Sequence, residues 1–346
     1  MILVGTICAT LWVIGWAMGA PIMQRWAMIF VVFCAVILGH LILPTAHPLR
    51  MNTGGSWQVW VLLAAFVAMI WVYRQGLRKL RGKVPPEAVP NGGAMSDTEL
   101  DRYARHIVMP EIGGSGQVLL RKSRVLVVGA GGLGAPALQY LAAAGVGTIG
   151  IVDDDVVDAT NLQRQVIHRD EDIGLPKVVS AARALRALNP YVSVETYQQR
   201  LTLAIAEAVI SDYDIVLDGT DNFETRYLLN QTCVAQAVPL VSGALSQWEG
   251  QVSLFDPARS GPCYQCIFPT PPAPEFAPSC SQAGVFAALP GVIGSLMAAE
   301  ALKYVLGAGT SLVGRLAIHN VLDAEGRVIK TKQRVDCPIC HPPLPN

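Results

Sequence analysis

The sequence predicts an α/β fold, a doubly wound and mostly parallel sheet extended by antiparallel strands, preceded by three helices of membrane-spanning length. Three observations predict it. Residues 1–73 form three uncharged, strongly apolar runs interrupted only by Arg25 and Arg50. From residue 123 onward, short β-rich runs alternate with helical patterns, as βαβ units require. Further on, closely spaced apolar strands flank one long apolar helix, which suits an antiparallel extension of the sheet.

The three runs, Met1 to Gln24, Trp26 to Leu49 and Met51 to Tyr73, are each long enough to cross hydrocarbon, which takes roughly 20 apolar residues as helix. Trp57, Trp60, Trp71 and Tyr73 bracket the third at positions that suit a membrane interface. The first run also fits a cleaved signal peptide, but it lacks the basic start such signals carry. Arg74, Arg78, Lys79, Arg81 and Lys83 follow directly, and basic residues beside a span resist translocation. The expected organisation is therefore a three-helix anchor over 1–73 in the inner membrane, a basic then Pro/Gly-rich linker over 74–95, and a cytoplasmic domain over 96–346. The formal net charge of zero divides accordingly. Seven of the 26 basic residues and no acidic ones lie in residues 1–83, leaving 19 basic against 26 acidic beyond, or +7 against −7.

The cytoplasmic part opens at Ser96, with Glu99 three residues on as a capping box and Leu100, Tyr103, Ala104, Ile107 and Val108 at helical spacing. Strands are expected at RVLVVGA, TIGIVD, VSVETY, YDIVLDGT and PLVSG. Helices are expected at APALQYLAAAG, KVVSAARALRAL, AIAEAVI and ETRYLLNQTCVAQA. GQVSLFD, GRLAIHNV and RVIKTK read as antiparallel strands, and GVIGSLMAAEALKYVL as the long helix among them.

Between the first strand and first helix of this part lies Gly129-Ala130-Gly131-Gly132-Leu133-Gly134. Glycines there permit a tight turn and close approach of phosphate to the amides of the helix N-terminus, the Rossmann-like arrangement. Asp153 closes the second strand, where a ribose hydroxyl needs an acceptor. These two features alone serve an NAD-dependent oxidoreductase as well as an ATP site. Arg164 in NLQRQ and Lys177 in GLPK favour phosphate chemistry, because charge accumulates on the α-phosphate when pyrophosphate departs.

Cys263-Tyr-Gln-Cys266 and Cys337-Pro-Ile-Cys340 form two C-x₂-C pairs, the ligand set of a closed tetrahedral Zn²⁺ site. Cys337 to His341 also spells the c-type haem attachment pattern, which belongs outside the cytosol and leaves the first pair unexplained. Cys233 reads as a small buried hydrophobe, and Cys8 and Cys34 lie in the membrane runs. His106, His168 and His319 have no partner at ligand spacing, so each is expected at the surface or in the core.

GAGGLG, Asp153, NLQRQ, GLPK, LDGTDN and VSGA, in this order, resemble the ubiquitin-activating adenylyltransferase superfamily over residues 96–341. The closest likeness is to its bacterial molybdopterin-synthase, thiamine-biosynthesis and heterocyst-type members. The resemblance implies ATP on Gly129, Gly131, Gly132 and Gly134, its ribose on Asp153, its phosphates on Asn161, Arg164 and Lys177, and Mg²⁺ on Asp221. It implies a homodimer in which Arg105 reaches the neighbouring subunit's site. Cys280, in PAPEFAPSCSQAG, matches a cysteine that some relatives use covalently and others dispense with.

The implied activity is adenylylation of the C-terminal glycine of a ubiquitin-like sulfur-carrier protein with a Gly-Gly tail, most closely the small subunit of molybdopterin synthase. A thiocarboxylate would then form with sulfur from a separate donor, since no rhodanese-like domain follows residue 341. The thiamine sulfur carrier and a tRNA threonylcarbamoyladenosine dehydratase stand as alternatives. The acidic balance of the cytoplasmic part argues against a nucleic-acid partner.

Overall fold

The computed structural model describes residues 2–19, 21–44, 47–54, 56, 58–62, 65–66, 68–69, 72–73, 95–273 and 283–341. The chain divides into two compact units, Met1–Glu87 and Ala88–Asn346. The basic cluster after residue 73, the Pro/Gly-rich stretch and much of the third apolar run lie outside the described residues.

The first unit folds as α1 (Ile2–Ala17), α2 (Ile22–Ile42) and the short α3 (Pro48–Asn52), with Arg25 inside α2 and Arg50 inside α3 rather than between helices. At 1.5 Å per residue α1 is roughly 24 Å long, short of a ~30 Å hydrocarbon core. Trp12 meets Trp26 edge-on at 5.1 Å, and the Arg25 guanidinium lies 5.9 Å from the Trp12 ring. Arg50 is turned back on the chain, donating to the Leu43 carbonyl. Buried Trp60 packs edge-on against Phe33 and donates to the Thr53 carbonyl. Trp16, Phe30, Leu41 and Ile42 are exposed, so the apolar surface faces outward. Among the described residues, two helices are long and apolar enough to cross a membrane, Gln24–Ile42 and Leu289–Leu306. The second is a core helix of the other unit, 44 % buried. Among the described residues one of the three expected spans thus meets that test, the third run being only partly described.

The second unit opens as expected with α4 (Asp97–Ile107), whose Ser96 Oγ accepts from the Glu99 amide while Glu99 Oε2 accepts from the Ser96 amide. The following α5 (Gly113–Lys122) is a helix that its three glycines do not suggest. Packing overrides propensity there. Leu120 is fully buried, Gln117 Nε2 donates to the Ala144 carbonyl at 2.9 Å, and Arg121 lies 3.4 Å from Glu99.

The sheet has eight strands: β1 (Arg124–Val128), β2 (Thr148–Val152), β3 (Ser193–Tyr197), β4 (Ile215–Asp218), β5 (Leu240–Leu245), β6 (Glu249–Phe255), β7 (Arg315–Asn320) and β8 (Glu325–Lys330). Their order is β3-β2-β1-β4-β5-β6-β7-β8, parallel as far as β5 and antiparallel beyond. β8 begins two residues before the run that predicts it. The Asn320 carboxamide accepts from the Leu322 and Asp323 amides and turns the chain there.

Helices α6 (Gly134–Ala144), α7 (Lys177–Leu188) and α11 (Leu289–Leu306) cover one face around Leu138, Ile149, Ile151 and Met297. Helices α8 (Leu203–Ile210) and α9 (Phe223–Ala235) cover the other around Leu126, Val216 and Leu229. The crossovers therefore leave β1 and β4 in opposite directions, and a crevice opens beyond their carboxyl ends. Both faces being covered explains why β1, β2 and β4, apart from a polar residue at one end of each, are continuously apolar rather than alternating.

Candidate active site

The crevice is a cavity of about 1390 Å³ at the ends of β1, β2, β4 and β5. Its floor is the glycine loop. Gly129 has φ +94, and a side chain on Gly134 would strike the Gly129 carbonyl oxygen, so only glycine lets the loop fold this tightly onto α6. Gly131, Gly132 and Leu133, immediately ahead of α6, line the crevice, where backbone amides at a helix start suit an anion.

Asp153 closes β2 and braces the loop. Its carboxylate accepts from the Ala130 amide at 2.7 Å and from the Asp155 amide at 2.9 Å. Burial pushes its pKa up, while Lys177 and the two amides pull it back. Lys177, the first residue of α7, is 4 % exposed and reaches Asp155 at 2.7 Å. A buried ammonium held by an exposed carboxylate is free to turn toward a phosphate. Arg164 lines the same cavity, its Nη2 donating to Asn161 Oδ1 at 2.8 Å. Asn161 stands behind Arg164 rather than on the cavity wall.

Asp221 is exposed and lines the same cavity, in the loop after β4. That loop is anchored by groups the sequence reading did not single out. Asp218, fully buried, accepts from the Thr220 hydroxyl and from Ser242, and Arg226 of α9 donates to Ser242 Oγ at 2.8 Å and to the Thr220 carbonyl at 2.7 Å. The Arg226–Asp218 ion pair is 3.3 Å. Asp218 is the second residue of the LDGTDN run and Arg226 lies one helical turn inside the next helix, and neither is set apart from its neighbours by a local pattern. Gln165, Trp248 and Tyr264 also line the cavity without having been anticipated.

His168 is buried, as a core histidine should be, with Nε2 2.9 Å from the Ala130 carbonyl and Nδ1 2.9 Å from Ser180 Oγ. Burial pushes its pKa down, against the pull of the Ala130 carbonyl and Asp172. Arg105 lies exposed in the last turn of α4 and does not line this chain's cavity. Cys280 lies outside the described residues.

The four cysteines of the two pairs converge as their spacing predicts. Sγ separations are 3.8 Å for Cys263–Cys266, 3.6 Å for Cys263–Cys337 and 3.4 Å for Cys266–Cys340. Tetrahedral Zn–S bonds of about 2.3 Å require about 3.8 Å between sulfurs, so the donor set fits this ion. Burial opposes ionisation at Cys337, but the Ile339 and Cys340 amides and neighbouring thiols outweigh it and hold the pKa at about 7. Cys340 is pushed up to about 11 by burial and by its thiol neighbours.

Comparison with known proteins matches this architecture. The ThiF family model matches residues 103–339. The sulfur carrier protein adenylyltransferase of Thermus thermophilus is 50 % identical over 246 residues, 70 % of this chain and 91 % of that one. The SAMP-activating enzyme E1 of Haloferax volcanii is 49 % identical over 247 residues, 71 % of this chain and 91 % of its own length. The probable adenylyltransferase/sulfurtransferase MoeZ of Mycobacterium tuberculosis is 45 % identical over 256 residues, but only 65 % of it is covered. Among solved structures, E. coli MccB with ATP superposes with a TM-score of 0.60 at 22 % identity, over 78 % of this chain and 80 % of that one, a likeness of fold. Half-identity across nearly the full length of an adenylyltransferase leaves one conclusion: the chain belongs to the ThiF family and is an adenylyltransferase.

Proposed function

We propose that the chain uses MgATP to adenylylate the C-terminal glycine of a ubiquitin-like sulfur carrier, foremost the small subunit of molybdopterin synthase. The observation that carries this reading is the single cavity in which the glycine loop, Asp153, Arg164, Lys177 and Asp221 meet. Asp153 accepts from the ribose, the loop amides hold the phosphates, and Asp221 holds Mg²⁺, which favours one or two carboxylates together with phosphate oxygens. The carrier's carboxylate oxygen attacks the α-phosphorus, and the bond to the β-phosphate oxygen breaks. Arg164 and Lys177 stabilise the charge that spreads over the departing pyrophosphate. Sulfur from a donor protein then attacks the acyl carbon of the adenylate, and AMP leaves.

Three further parts complete the reading. The four cysteines hold Zn²⁺ as a structural staple. A second copy of the chain supplies Arg105, so the working unit is a homodimer. The outward-facing apolar side chains of the first unit anchor the enzyme in the inner membrane through three spans, with the catalytic unit on the cytoplasmic side.

Mass spectrometry of each candidate carrier after incubation with enzyme and ATP tests the reading. The molybdopterin-type carrier should gain an adenylyl group on its C-terminal glycine. A carrier panel left entirely unmodified, under conditions where ATP is bound, overturns it.

A further inference from the structure

Three segments must keep register for the cavity to work: the glycine loop, the 161–168 segment bearing Arg164, and α7 bearing Lys177. One side chain touches all three. His168 ends the Arg164 segment, which is wound tightly on itself because the Arg164 and Gln165 amides donate to the Asn161 carbonyl and the His168 amide to the Gln165 carbonyl. Its Nε2 is 2.9 Å from the carbonyl of Ala130, the residue between Gly129 and Gly131. Its Nδ1 is 2.9 Å from Ser180 Oγ, one turn beyond Lys177 on α7. Ser180 in turn lies 2.8 Å from Asp172 Oδ2, and Arg183 closes the chain at 2.6 Å from Asp172 Oδ1. Ala130 is thus gripped at both backbone groups, its amide by Asp153 and its carbonyl by His168.

We propose that His168 is a positioning residue of the nucleotide site, its Nε2–H, aimed by Ser180 and Asp172, holding the Ala130 carbonyl and keeping the glycine loop in register with Arg164 and Lys177. The proton assignment follows from the partner. A carbonyl oxygen only accepts, so Nε2 carries a proton whether the ring is neutral or charged. His168 itself touches no reacting atom. The inference rests on the cavity being the ATP site.

Equilibrium ATP binding to the full-length chain in detergent, with melting temperature measured in parallel, tests it. His168→Leu orphans a buried carbonyl and should weaken ATP binding about tenfold. His168→Gln can present an N–H to the same oxygen and should restore binding to within about threefold of wild type. Val194→Ala, in β3 and remote from the cavity, should lower the melting temperature without moving ATP affinity, which separates positioning from general destabilisation. Nitrogen-15 histidine spectra should show Nε2 protonated with and without ATP. If His168→Leu does not fold, Ser180→Ala replaces it, with weaker ATP binding expected. Wild-type affinity in His168→Leu, no restoration by His168→Gln, unchanged affinity in Ser180→Ala, or an unprotonated Nε2 overturns the inference. A wild-type chain that binds no ATP overturns the nucleotide reading and this inference with it, whereas wild-type binding alongside an indifferent His168→Leu overturns the inference alone.

Discussion

Arg164 and Lys177 face one cavity but are held in different ways, and the difference shapes what their loss should do. Lys177 is buried and helps offset the desolvation of Asp153, so its removal disturbs the empty site as well as the loaded one. Arg164 is only half-buried, leaning on Asn161 and the Thr160 carbonyl. Arg164→Ala should therefore fold normally while losing about two orders of magnitude or more in ATP/pyrophosphate exchange, as when one transition-state donor is removed. Arg105→Ala should be similarly impaired, since Arg105 is exposed and stands outside its own chain's cavity. Mixing the two variants restores both arginines to one site of each mixed dimer. Recovered exchange of up to about a quarter of wild type is expected if subunits reassort at random. Mixed dimers verified by mass spectrometry but no more active than either parent would place both arginines in one subunit's site or remove one from the reaction.

At the level of elements, the cysteine cluster links parts of the chain that are far apart in sequence. Cys263 and Cys266 flank and occupy α10 (Tyr264–Ile267), while Cys337 and Cys340 come from the tail after β8. Amide donors surround the sulfurs, the Arg334 amide on Cys266 and the Asn230 carboxamide on Cys263, as thiolate ligands require. A closed Zn²⁺ site of this kind contributes its binding energy to folding. The purified chain should carry one Zn²⁺, and a strong chelator should lower its melting temperature measurably. A chain stripped of metal that melts unchanged would show the cluster to be a thiol core only.

On the scale of the whole molecule, the charge asymmetry makes a topological prediction. Seven basic and no acidic residues in residues 1–83, five of them after residue 73, should retain the second unit in the cytoplasm. A periplasm-dependent phosphatase fused at residue 90 should then be inactive, and high activity would reverse the orientation. The described part of α1, at roughly 24 Å, spans the bilayer only if the hydrocarbon thins or neighbouring residues extend it.

The sequence by itself determined the alternation of strands and helices, the capping box at Ser96, the glycine loop and the pairing of the four cysteines, because each is written in residues close together or in a fixed short spacing. Gly129 to Gly134 encodes a tight turn, and two C-x₂-C pairs encode four thiols that can converge. Tertiary structure decided what depends on distant partners. α5 forms despite its glycines because Leu120 and Gln117 pack against elements of the fold. Arg226, Asp218 and Ser242 come from three separate elements to hold the Asp221 loop. His168 was legible only as a histidine without a nearby ligand. Its place between Ala130 and Ser180 spans 38 residues on one side and 12 on the other, and no local pattern encodes a hydrogen bond made by the fold's closure.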